Sequence, residues 1–182
     1  MESFILPLLL IQYAMNSKER IKDINDNQIF IVEDNEMHSL MMDYLLSKET
    51  TAHIKKFRSG EDCIKSLDLN PDVVILDYGL PGMNGIQTLK AIKEYDSDIP
   101  VIVITGNTDK AVARSFFNAG VYDYIEKNDD AFEQVSKVTD SILNIMAWKE
   151  AKKERRKKII MAIVVSVITT AIGILFYFIL KH

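Results

Sequence analysis

The chain has 182 residues, with 22 Lys and Arg against 26 Asp and Glu and a formal net charge of −4, so it has room for one ordinary domain and a small addition. At 48% hydrophobic and 26% charged it is neither disordered nor collagen-like, and its single Cys excludes a disulfide framework and a Cys-built zinc site, as expected in a reduced, intracellular compartment. Residues 1–148 carry 14 basic and 24 acidic side chains, and such an acidic body leaves no nucleic acid among the expected partners, because phosphate-backbone binding needs concentrated Lys and Arg.

The N-terminal segment, residues 1–26, is apolar and then polar. Its stretch Phe4 to Ile11 (FILPLLLI) is interrupted by Pro7, is too short to cross a bilayer, and lacks the basic start and cleavage site of a secretory signal. It reads either as an interfacial segment or, if translation begins at Met15, as part of an untranslated stretch.

From Gln28 onward, short β-branched runs alternate with amphipathic stretches. The runs IFIV at 29–32, VVIL at 73–76 and VIVI at 101–104 read as strands buried on both faces. Met37, Leu40, Met41, Tyr44 and Leu45 follow the i, i+3, i+4, i+7, i+8 spacing of a helix. Ala52 to Phe57 is a less apolar strand. Ser59, Asn84 and Thr108 read as N-caps of helices reaching about Leu69, Tyr95 and Ala119, and Tyr122 to Glu126 is a fifth strand. Phe132, Val135, Ile142 and Ile145 mark a last helix ending near Trp148. Five βα units predict an α/β, flavodoxin-like (βα)5 doubly wound parallel sheet of strand order 2-1-3-4-5, with a crevice at the carboxyl ends of the first and third strands.

Residues 148–158 form a basic linker, with 7 basic and 2 acidic side chains in 149–158. Residues 159–180 then run without Asp, Glu, Lys, Arg or Pro, long enough as a helix to cross a hydrocarbon core of about 30 Å. The expectation is a single-pass cell-membrane anchor with the body on the cytoplasmic side, where flanking Lys and Arg are retained and can also meet anionic headgroups of the lipid bilayer. Only Lys181 and His182 follow the span, so no external domain is expected. Ala162, Ser166, Thr170 and Gly173 form a small-residue stripe through which two such helices could pair as a homodimer.

Polar residues close the central strands: Glu33 and Asp34 the first, Asp77 the third, Thr105 the fourth and Lys127 the fifth. All should meet on one rim. Two carboxylates about 4 Å apart repel by roughly 4 kcal/mol at an effective dielectric of 20, so three together call for a cation. Mg2+ takes hard oxygen ligands and suits Asp34, Asp77 and a backbone carbonyl, with Glu33 acting through water. A carboxylate can also be the nucleophile in phosphoryl transfer, and Asp77 is the candidate. Lys127 and the Thr105 hydroxyl would stabilise the oxygens of the transferring group.

The stretch Asp77 to Gly85 (DYGLPGMNG), the pair Glu33-Asp34, Thr105-Gly106 and Lys127 resemble the receiver domain of two-component response regulators, over about residues 27–147. The resemblance implies metal ligation by Asp34, Asp77 and the carbonyl of Gly79, a water-mediated metal contact for Glu33, phosphoacceptance by Asp77, and phosphate contacts for Thr105 and Lys127. It further implies that Tyr124 is a switch aromatic that turns inward as Thr105 moves toward the phosphate. Its partners would be a histidine kinase or histidine phosphotransfer protein. Asn128 stands where the family usually has proline, so no cis bond is expected there and Lys127 should be held less tightly.

The expected function is therefore a membrane-anchored, stand-alone phosphoacceptor switch and not an enzyme beyond its own phosphorylation and dephosphorylation. With about a dozen residues between the last helix and the span, no effector domain is expected, and output would run through protein contacts. The alternative is an unphosphorylated, receiver-like membrane scaffold. A haloacid-dehalogenase-like phosphatase would need an acid two residues after the nucleophile, where Gly79 stands. Cys63 and the three His are assigned no chemistry.

Overall fold

The computed structural model describes residues 27–107 and 109–181. The apolar N-terminal segment, Met15 and Thr108 lie outside the described residues. The chain divides into two compact units, Met1–Val138 and Thr139–His182.

In the first unit, β1 (Gln28–Val32), β2 (His53–Phe57), β3 (Val73–Asp77), β4 (Val101–Thr105) and β5 (Asp123–Glu126) pair in parallel in the order β2-β1-β3-β4-β5. This is a flavodoxin-like sheet. β3 and β4 are buried along their whole length and β1 at every position after Gln28, which is why they read as unbroken apolar runs, whereas edge strand β2 keeps exposed His53, Lys55 and Lys56. Phe30, Leu67, Leu76, Leu89, Ile92, Val103 and Phe116 form the centre of the core on one sheet face.

The crossover helices are α1 (Glu36–Glu49), α2 (Gly60–Lys65), α3 (Gly85–Tyr95) and α4 (Lys110–Asn118). Asn35 caps α1, accepting from the N–H groups of Met37 and His38, and Asn84 caps α3 in a reciprocal box with Gln87. Ser59 caps α2, but α2 ends at Lys65, and a 3-10 turn at Leu67–Leu69 with left-handed Asn70 (φ 54°) completes the span read as one helix. Asp109 caps α4 through Ala111 N–H. Its carboxylate supplies the cap expected of Thr108.

The helical spacing of Met37 to Leu45 is borne out by α1, but those residues are not its buried line. Ser39, Met42 and Leu46 are the buried line, while Met37 is 66% and Tyr44 62% exposed, and Leu40 and Met41 face solvent as well. The helix is apolar on two adjacent stripes, and helical periodicity alone cannot say which one the sheet takes.

The last helix does not end near Trp148 as expected: the helix-favouring basic stretch carries it on unbroken, and α5 is Ala131–Lys181. It contains a window of mean hydropathy 2.7 with none of its area buried, long and apolar enough to cross a membrane by length and composition. The hydroxyls of Thr169 and Thr170 donate to the Ser166 carbonyl, so these polar groups are satisfied within the helix.

The turn from β3 into α3 is shaped by absent side chains. A Cβ at Gly85 would lie 2.7 Å from Tyr78 Cα and 2.8 Å from the Asp77 carbonyl, both of them backbone. Nothing lies within 4 Å of a Cβ built on Gly106. Gly85→Ala should therefore cost about 1–3 kcal/mol, read as a lower urea midpoint, while Gly106→Ala stays within about 0.5 kcal/mol of the parent.

Candidate functional site

The parallel register levels the strand ends. Val32 is opposite Leu76, Asp77 opposite Ile104, and Thr105 opposite Glu126, so Glu33, Asp77, Thr105 and Lys127 fall on one rim within two residues of each other. Backbone hydrogen bonds continue past the strands and hold these positions: Glu33 N–H donates to Phe57 O (3.0 Å), Tyr78 N–H to Ile104 O (3.1 Å) and Lys127 N–H to Thr105 O (2.8 Å).

Glu33, Asp34 and Asp77 each offer a carboxylate oxygen, and these atoms lie within 4.8 Å of one another. Glu33 and Asp77 are buried at 2% and 7% exposure, whereas Asp34 faces solvent. The Lys127 ammonium bridges the buried pair, 3.0 Å from Asp77 Oδ1 and 3.1 Å from Glu33 Oε2. Asn35 N–H donates to the other Glu33 oxygen at 3.2 Å. Burial works against the charged ammonium, but the hydrogen bond and charge of Asp77, followed by those of Glu33, outweigh it and hold the Lys127 pKa above the ordinary lysine value.

The donor set fits a hard divalent cation: three converging carboxylates, two of them out of water, with one basic group among them. It is an acidic metal-binding site. Gly79 lies beside it, since a Cβ there would sit 3.4 Å from Asp77 Oδ2. The Thr105 hydroxyl, nearly fully buried, accepts from Asn107 N–H at 3.0 Å.

Tyr124 is half-buried, and its hydroxyl donates to the Asn107 carbonyl at 2.6 Å. Its ring lies 5.8 Å from that of Phe116 and 6.3 Å from that of Phe117, and Phe116 in turn meets Tyr78 edge-on. Burial and then the charge of Glu126 push the Tyr124 pKa up, against a hydrogen bond with Thr105, so the phenol keeps its proton at neutral pH.

No peptide bond among the described residues is cis, the Lys127–Asn128 bond included. Asn128 does a different job: its side chain accepts from Asp130 N–H (3.0 Å) and its carbonyl from Ala131 N–H (3.1 Å), turning the chain into α5. Lys127 is nonetheless fixed at both ends, by its backbone and by two carboxylates.

Sequence reading missed Arg58, Glu61 and the main-chain role of Asn107. Arg58, just past β2, reaches within 3.5 Å of the Asp34 carbonyl and lines, with Glu36, Leu40, Lys56 and Phe57, a cleft of about 260 Å3 that also borders the acid pair. Strand order alone could have placed Arg58 there, because β2 ends on the same rim. Glu61 accepts from Met83 N–H, and the Asn107 carbonyl receives the tyrosine hydroxyl. Neither carries a local sequence signal.

A family model described as the response regulator receiver domain matches residues 29–139. The chain is 34% identical over 120 residues to a protein-glutamate methylesterase/protein-glutamine glutaminase of Clostridium acetobutylicum, which covers 64% of this chain and 34% of that protein. It thus spans about a third of that curated relative. Among solved structures, the BeF3-activated receiver domain of DrrB, a Thermotoga maritima protein, aligns with TM-score 0.60 and 26% identity over 65% of this chain and 98% of that one. The signal receiver domain of a Luxo repressor protein from Vibrio parahaemolyticus, described there as putative, shares the fold with TM-score 0.63 and 23% identity over 69% of this chain and 96% of its own.

Because the Lys127 pKa is raised on folding, its ion pairs contribute fully below the unfolded value of about 10.5 and are lost as pH rises through the higher folded value. The stability gap between the parent and Lys127→Met, measured by urea unfolding, should therefore be constant from neutral pH to about 10 and shrink above it. A gap unchanged at higher pH would contradict the bridge.

Proposed function

Given that the chain belongs to the response regulator receiver family, whose members are signalling phosphoacceptors that interact with histidine kinases, we propose that it is a membrane-anchored receiver that takes a phosphoryl group onto Asp77. The observation that carries this reading is the Lys127 ammonium held between the Asp77 and Glu33 carboxylates. The donor is a phosphohistidine of a kinase or of a histidine phosphotransfer protein.

An Asp77 carboxylate oxygen attacks the donor's phosphorus. The P–O bond forms as the P–N bond to the imidazole breaks, and the imidazole leaves with the electron pair. Lys127 could meet one phosphoryl oxygen without moving away from Glu33, and the Thr105 hydroxyl, which only accepts from Asn107 N–H, keeps its hydrogen to donate to another. Asp34, Asp77 and the Gly79 carbonyl would hold Mg2+, with Glu33 acting through water, and the bound ion would supply charge neutralisation for the transferring group.

The phosphoryl group brings about −1.5 to −2 charge to the rim. Thr105 is drawn toward it, and Tyr124, whose hydroxyl already holds the Asn107 carbonyl, reports that movement to the surface of α4, β5 and the start of α5. The exposed Met37, Leu40, Met41 and Tyr44 follow the acid pair directly in the chain and offer an apolar surface for the donor.

The domain plan that goes with this reading is a receiver over 27–147, a basic juxtamembrane linker over 148–158 and a transmembrane helix over 159–180. Its support is the exposed apolar run of α5, the Thr hydroxyls satisfied within that helix, and the Lys and Arg that precede it. The basic side chains beside the span support a cytoplasmic side for the receiver in this reading.

Acetyl phosphate with Mg2+ should add one phosphoryl group to the full chain in detergent micelles and none to Asp77→Asn, read by intact-protein mass. No labelling of the parent would favour an unphosphorylated scaffold. In cells, the full chain should stay with membranes after alkaline carbonate extraction, while a chain ending at residue 158 is released. Release of the full chain would refute the anchor.

A further inference from the structure

The loop between β3 and α3, residues 78–84, carries Gly79, whose carbonyl is the proposed backbone donor to the cation. Backbone closes the loop, since Gly85 N–H donates to Tyr78 O at 3.1 Å. A further tie comes from α2. Glu61 Oε1 accepts from Met83 N–H at 2.9 Å, across 22 residues of chain.

The surroundings of that carboxylate are built for it. Gly82 has φ +75°, a left-handed conformation that a side chain would strain, and a Cβ there would come within 2.7 Å of Glu61 Oε1. The carboxylate therefore rests against bare backbone. Its second oxygen is buried without a hydrogen-bond partner, so desolvation of this group is tolerated for the sake of its position. α2 is brought up to the loop by Gly60, where a Cβ would collide with Thr88 Oγ1, and the Thr88 hydroxyl donates to the Asn84 carbonyl at 3.0 Å. The first turns of α2 and α3 are thus in close contact where Glu61 reaches across.

We infer that Glu61 is a positioning residue for the cation site: by holding the Met83 N–H against the bare backbone of Gly82, it fixes the course of the loop that presents the Gly79 carbonyl, and so sets divalent-cation affinity without touching the ion. The inference rests on the reading of Gly79 as a donor. A charge-assisted acceptor on a backbone N–H is among the stronger ties available to a short loop, and the effect on the ion is that of an outer-shell partner.

The test is calorimetric titration of the full chain in detergent micelles with Mg2+ alone, well below each variant's melting range. Glu61→Ala should weaken binding about tenfold, and Glu61→Asp, one methylene too short to reach Met83, should weaken it comparably. Glu61→Gln, whose amide oxygen still accepts from Met83, should stay within about twofold. Hydrogen exchange at the Met83 amide should quicken in the Ala and Asp variants and not in Gln. Unchanged Mg2+ affinity in both Ala and Asp, or a loss in Gln as large as in Ala, would overturn the inference. Absence of Mg2+ binding by the parent would instead remove the cation reading on which it stands.

Discussion

One ammonium group between two buried carboxylates organises the functional end of this sheet. Glu33 and Asp77 are each taken almost wholly out of water, and a buried carboxylate without a partner is strongly disfavoured. Lys127 bridges both at about 3 Å. Because the bridge joins β1, β3 and the end of β5, electrostatics at the rim and strand order in the sheet support each other. The exposed Asp34 beside it leaves the cluster with more negative than positive charge, the condition under which a divalent cation is welcome.

The rest of the rim serves that arrangement through backbone. The ladder continues one residue beyond each strand at Glu33, Tyr78 and Lys127, so the reactive side chains are carried by stiff chain and not by free loops. Glycine does complementary work in the β3–α3 turn, where Gly85 lets the helix start against the Asp77 carbonyl and Gly82 takes a left-handed turn under the Glu61 carboxylate. This is how a parallel sheet gathers groups far apart in sequence with little loss of chain entropy at the site itself.

What was legible in the sequence follows from these physics. Glu33, Asp34, Asp77 and Lys127 could be found because each ends an apolar run, and the run lengths put those ends level. The strand order could be found because the three fully buried strands are the three most apolar. The face of α1 could not: Met37, Leu40, Met41 and Tyr44 compete with Ser39, Met42 and Leu46, and periodicity does not choose between the two lines, of which the second is buried. Glu61 was invisible for another reason, since its partner is a main-chain N–H distant in sequence and backbone leaves no residue-type signature. The cap of α4 falls one residue later than expected, on Asp109, a stronger N-cap type than Thr.

The hydroxyl of Tyr124 grips the carbonyl of residue 107, not its side chain. A latch of this kind reads where the main chain runs and is blind to which amino acid runs there. The side chain of residue 107 has a separate task, accepting from Asp109 N–H at 2.9 Å, so a residue there that keeps this acceptor leaves the latch undisturbed, whereas the phenol oxygen has no substitute. Main chain and side chain of a single residue thus carry two different ties, one to the aromatic ring's hydroxyl and one to the cap of the next helix.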